Sequence, residues 1–205
     1  MKRLGLLTVL TLAAVSAFAF PGFEPTYFPA EVKAIGADLG SRTLGDLKVS
    51  ELVPLAERLD IARQKDGYVM MAGGLSMFWP GAGQYMSGDW MGGTLYTGLH
   101  VGVTAGTVFW AESLLPSDLQ WSNLDYFSAS HSTVRSRWDS HSFNEYLPAI
   151  GALALGTAVD VGLRFWSARN AKEVAKARID DGKVTFEPRF ENTRWGMGLG
   201  MGMRF

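Results

Sequence analysis

The chain has no cysteine in its 205 residues. That removes disulfides, thiolate metal sites and cysteine nucleophiles together. Charge is also scarce: Asp, Glu, Lys and Arg make up 19% of the sequence, and the formal net charge is −1. A general nucleic-acid binder carries a basic patch and a high pI, so that class is excluded. No P-loop, GxGxxG or HExxH motif is present, which leaves no signature of a cofactor or a catalytic metal. What the chain does have is glycine (24) and tryptophan (7), with 47% hydrophobic residues. That rules out a disordered chain and departs from the composition of an ordinary soluble domain. The length allows one domain with an appendage. A mean hydropathy of +0.06 is neutral only as an average.

The N-terminus opens the segregation. Lys2 and Arg3 precede an apolar run from Leu4 to Val15, and Ala17-Phe18-Ala19 is a small-x-small site. Residues 1–19 therefore read as a secretory signal peptide, with an uncleaved anchor as the other reading. Residues 20–66 read as an exported amphipathic region. Phe20 to Pro29 is a proline-rich arm, and Ala30 to Leu39 is a weak helix. Ser50 to Asp66 is a stronger helix, with Leu52, Leu55, Ala56, Leu59 and Ala62 on one face, Ser50 capping its start and Gly67 ending it. It is either a half-buried helix or one lying on a bilayer surface.

Beyond this point charge vanishes. Gly67 to Gly88 holds no charged residue or histidine, Trp90 to Ala111 holds only His100, and Tyr146 to Leu163 holds only Asp160. About 20 such residues, at ~1.5 Å rise each, cross a ~30 Å hydrocarbon core. Trp90 and Trp110 bracket the second run, and Tyr146 and Trp166 the third, at bilayer-thickness spacing. The first stretch, Tyr68 to Trp79, is too short to span. Either its helix begins earlier, near Ile61, or Tyr68–Trp90 is a broken, re-entrant element, which requires cover from protein or water.

The expected fold is all-α and integral to a membrane: two full spans plus a helical hairpin or half-span, amphipathic N-terminal helices, and a short β-like tail. The helical membrane domain covers 67–179, interrupted by a polar, Ser-rich loop at 112–145 in which Asp125 to Trp138 is partly helical. Arg169 to Ile179 extends the third helix, Gly182 ends it, and Lys183 to Phe186 reads as a strand within the tail, 180–205. Trp195 to Phe205 alternates apolar residues with glycine, the period of a strand. It resembles the last strand of an outer-membrane barrel, although too few residues remain to build a barrel. The basic residues after Trp166 favour instead a cytoplasmic C-terminus in the inner membrane. Inner and outer membrane both stay open.

The segment from Trp79 to Gly93 contains Pro80, Gly81, Gly83, Gln84 and Gly88. It resembles a bacterial membrane-hairpin family of unknown function, marked by Pro-Gly-x-Gly-Gln, a glycine turn and a second helix, and related in pattern to two-transmembrane-helix domains. Asp160 followed by Ala168-Arg169-Asn170 is similar to the later helix of that family. The Gly-Gln…Gly-Asp…Gly-Gly pattern is also similar to a spirochaetal family of small helical outer-membrane proteins with channel-forming activity. The resemblance covers roughly 68–176 and implies a membrane hairpin without specifying a function.

Three constellations are candidates for function. The hairpin motif itself can turn the chain sharply, with Gln84 satisfying freed backbone groups; a lipid-headgroup or ligand site is the alternative there. Gly98, Gly102 and Gly106 on the second run and Ala154, Ala158 and Gly162 on the third form small-xxx-small ridges, for packing of the two helices or for a homo-oligomer. His100, Asp160 and Arg164 are the intramembrane polar groups, costly in lipid. Ridge-to-ridge packing would leave Asp160 paired with Arg164 one turn on; a His100–Asp160 pair instead requires the Ala152/Gly156/Asp160 face to turn inward. His131 and His141, with Asp125 and Asp139, lack any ligand spacing. The sequence therefore predicts a non-enzymatic envelope membrane protein with a structural or assembly role, no cofactor and no metal. Its expected partners are membrane lipid and a homo-oligomer or envelope protein, and a small oligomeric channel is the alternative.

Overall fold

A computed structural model describes residues 24–42 and 44–188, and among these it is all-helical, with no strand. The signal peptide (1–19) and the alternating tail (Trp195–Phe205) lie outside the described residues. The elements are α1 (Tyr27–Leu39), α2 (Val49–Phe78), α3 (Ala82–Met86), α4 (Trp90–Ser113), α5 (His131–Asp139) and α6 (Phe143–Asp180). The described residues form two compact units, one from the described residues up to 71 with 176–188 and one from residues 72–175.

Several boundaries differ from the sequence reading: the first helix already begins at Tyr27, inside the proline-rich arm, and the second at Val49, so that Ser50 lies within it rather than capping it; two further differences are larger. Gly67 does not end the second helix: α2 runs 30 residues from Val49 to Phe78. A glycine inside a helix costs about 1 kcal/mol, and here the burial of Tyr68, Val69 and Ala72 just beyond it outweighs that cost. The helix thus begins well before Ile61 and stops at Trp79-Pro80, where proline has no N–H to donate. The second difference is at the other end. Lys183–Phe186 is not a strand, because no neighbouring strand exists to pair with it among the described residues.

In the first unit, α1 is fastened by one side chain of α2. The Asp66 carboxylate accepts the backbone N–H groups of Thr26, Tyr27 and Phe28 at 2.7, 2.9 and 2.7 Å. It thereby caps the start of α1, which has no cap of its own from Thr26. Arg58 bridges Glu31 and Asp38 on α1. The Tyr27 hydroxyl donates to Asp180 at 3.0 Å. Burial, reinforced by that carboxylate, pushes the phenol up to about 12.

In the second unit, α4 starts at Asp89, whose carboxylate accepts the Gly92 N–H at 3.0 Å. Of the two predicted full spans only one meets the criterion. α6, at 38 residues, is the one described helix long and apolar enough to cross a membrane, and just 22% of its apolar window is buried. α4 has the length, 24 residues, but its glycines, threonines and His100 dilute its apolarity.

Candidate functional site

The break between α2 and α4 is where the polar chemistry collects. Pro80 and Gly81 turn the chain, and Gly81 adopts φ 98°. A side chain there would be strained and would also strike the Gly93 carbonyl of α4. At Gly83 the constraint is proximity: a Cβ would overlap the Ala72 carbonyl of α2. Gly88 lies in the following turn, with φ 76°.

This close approach assembles a buried hydrogen-bonded knot. Gln84, Ser76 and Ser167 have no exposed surface. Ser76 Oγ donates to Gln84 Oε1 at 2.8 Å and accepts the Gly83 N–H at 2.8 Å. Gln84 Nε2 donates to the Ser167 carbonyl at 3.0 Å and to Asn170 Oδ1 at 3.2 Å. Ser167 Oγ accepts the Gly81 N–H at 3.0 Å, and Thr97 Oγ1 donates to the Pro80 carbonyl at 2.9 Å. The donors and acceptors freed by the chain break are thus answered by α4 and α6 rather than by water, as burial demands.

His100, Asp160 and Arg164 form the neighbouring cluster, and the structure brings all three together. Asp160 Oδ1 lies 2.5 Å from His100 Nδ1, and Asp160 Oδ2 accepts from Arg164 Nε at 2.7 Å. Arg164 Nη1 also donates to the carbonyls of Phe78 and Met77 at 2.5 and 3.3 Å. Those carbonyls belong to the last turn of α2, so a guanidinium from α6 serves as its C-terminal cap. The Trp79 ring closes the cluster edge-on to His100, centroids 5.6 Å apart. Both carboxylate oxygens of Asp160 are occupied, and Arg164 is divided between a carboxylate and two carbonyls. The arrangement can hold three helices together, with His100 bound through Nδ1.

The small-residue ridges do not meet. A Cβ on Gly98, Gly102, Gly106 or Gly162 would touch nothing within 4 Å, and Ala154 and Ala158 are exposed. The packing face of α6 is the other one: Ala149, Ala152, Gly156 and Leu163 are buried, and Gly156 abuts the Thr107 side chain of α4. This face carries Asp160 inward to His100.

Sequence reasoning missed Ser76, Ser167, Asn170 and Thr97 as knot residues. Their signal was weak: Ser76, Thr97 and Ser167 are single small polar residues among apolar or small ones, Asn170 is one polar residue in a charged segment, and the contacts to α6 span more than 80 residues. It also missed a cluster in the connection between α4 and α6. His141 contacts Asp118 Oδ1 through Nε2 at 2.8 Å and Glu145 Oε2 through Nδ1 at 2.7 Å. Glu145 first and Asp118 second raise the imidazole above its ordinary value. His131 does not join it; Asp125 instead binds Ser128 and the Phe127 N–H, and Asp139 pairs with Arg135. Among the described residues, no group of three or more His, Asp or Glu side chains is disposed to hold a metal ion.

Comparison with known proteins returned no matching family model, curated protein or solved structure.

Proposed function

We propose that the protein is a non-enzymatic integral membrane protein of the bacterial envelope, with a structural or assembly role. One observation carries this reading: in the second unit the apolar side chains point out and the polar ones in. Leu95, Leu99, Val101 and Phe109 of α4 and Leu147, Leu153, Leu155 and Val159 of α6 are all exposed. Gln84, Ser76 and Ser167 are wholly buried and paired with one another or with backbone. In water this inversion would lose most of the hydrophobic stabilisation available to a helical domain; in lipid it is the required arrangement. The His100–Asp160–Arg164 cluster supports a holding role, since Asp160 joins α4 to α6 and Arg164 joins α6 to the end of α2. The hairpin resemblance fits the same role. Membrane fractionation with alkaline extraction is the test. The protein is expected to stay in the membrane pellet, and release into the supernatant would overturn the reading. Protease accessibility of the C-terminus would then assign the inner or the outer membrane.

A second reading, a small oligomeric channel, is favoured by the open Gly98/Gly102/Gly106 ridge, a surface on which another helix could seat closely. Conductance from purified protein in planar bilayers separates the two: the structural role expects none.

A further inference from the structure

The connection between α4 and α6 is polar in sequence, yet it presents large rings outward. Trp121 is 52% exposed and Phe127 wholly so, while the segment's own small core is made by the buried Leu119 and Leu124. The exposure is held in place by hydrogen bonds. Asp125 Oδ1 accepts the N–H groups of Phe127 and Ser128 at 3.0 and 3.3 Å. Arg137 ties the carbonyls of Asp118 and Asn123 to α5. The connection's rings are also continuous with those at the ends of the apolar helices. Trp121 meets Phe109 of α4 edge-on at 5.8 Å, and Trp138 stacks on Tyr146 of α6 at 5.1 Å. Between these pairs lies an apolar groove of about 220 Å³, lined by Val108, Leu115, Trp121, Trp138 and Leu153.

We propose that residues 114–142 form an interfacial cap lying in the headgroup layer of a bilayer, with Trp121 and Phe127 in contact with lipid. The inference rests on the reading that α6 spans that bilayer. Trp121, with an apolar body and an N–H edge, suits this layer, Phe127 adds apolar area to it, and the headgroups offer hydrogen-bond partners to the serines that lie among them. Exposed rings on a loop in bulk water would be an association hazard with no gain. The charge fits a neutral lipid surface. Within 114–142 three carboxylates (Asp118, Asp125, Asp139) stand against Arg135, Arg137 and the His141 imidazolium, so the cap has no excess charge and a zwitterionic surface suits it.

The absence of cysteine permits a direct test. Phe127→Cys, Ser122→Cys and Leu155→Cys are each nitroxide-labelled in the full chain, reconstituted in phosphatidylcholine vesicles. Collision with oxygen, which dissolves in lipid, is compared with collision with a neutral nickel chelate, which stays in water. Ser122 leaves Trp121 and its packing intact. The labels at 122 and 127 are expected to show oxygen-to-nickel ratios severalfold above the free label in buffer and below the label at 155. A buffer-like ratio at 122 or at 127, with a lipid-like ratio at 155, overturns the cap alone. A buffer-like ratio at 155 overturns the spanning reading, and the cap falls with it.

Discussion

Asp66 and Gln84 show how single buried polar side chains hold helix ends whose own sequences provide no cap. Asp66 is 6% exposed and accepts three backbone N–H groups of α1. Asp66→Ala therefore leaves those donors without partners, and the cap is worth about 0.5–2 kcal/mol. Amides 26–28 are expected to lose hydrogen-exchange protection while those of α4 keep theirs; unchanged protection at 26–28 would remove the capping account. Gln84→Leu acts on the knot. It keeps the volume but leaves the Ser76 O–H and the Asn170 Oδ1 without Gln84 and takes the second partner from the Ser167 carbonyl, at a cost of about 1–3 kcal/mol. Thermal unfolding in detergent reads this loss. Gln84→Glu tests it from the other side: ionised, it cannot donate to Ser167, and at neutral pH either burying that charge or protonating it costs energy, so it is expected not to rescue.

At the scale of elements, two glycines of the second unit have opposite roles. Gly83→Ala drives a methyl into the Ala72 backbone and is expected to open the α2–α3 turn. Gly98→Ala meets open space, and in a helix it is expected to stabilise by about 0.5–1 kcal/mol. The same denaturation assay on both variants checks the contrast. Local chemistry made the break legible in sequence, because Pro80, Gly81 and Gly83 act on the chain within a few residues. The choice of packing face was not legible. α6 carries small residues four apart on two faces, Ala154/Ala158/Gly162 and Ala152/Gly156, and periodicity alone cannot rank them. Asp160 decides: its partners His100 and Arg164 are reachable together only when the second face turns inward. The His141 clasp was hidden for a related reason, since Asp118 and His141 are 23 residues apart across an irregular segment. Holding both carboxylates requires two N–H donors, hence the charged imidazolium. Its pKa is raised when folded, so its stabilisation is complete below the ordinary value of ~6.5 and is lost as pH rises through the higher folded value. The groups facing it are Asp118, Glu145 and the Tyr146 ring. Titration of the His141 ring protons by NMR is expected to give a midpoint above the ordinary imidazole value of ~6.5; a midpoint at or below that value would contradict the clasp.

For the whole molecule the question is which solvent the outward surface faces, and one substitution distinguishes the answers. Leu155 is 56% exposed near the middle of the apolar stretch of α6, between Tyr146 and Trp166. If α6 were a surface helix of a water-soluble protein, Leu155→Arg would replace an exposed apolar residue with a charged one, within about 0.5 kcal/mol of neutral. In a bilayer the same arginine sits near the midplane, where insertion costs about 2.5–3.5 kcal/mol on the translocon scale. It is also too far from either interface to reach water freely. The helix already carries Asp160 and Arg164, but those are paired and cap the end of α2; an arginine at 155 would face outward with no described partner on that surface. Leu155→Arg is therefore expected to shift a large fraction of the protein from the membrane pellet to the soluble or degraded pool, while Leu155→Ala is expected to remain in the pellet. Equal pelleting of both variants would mean that the exposed face of α6 does not meet lipid.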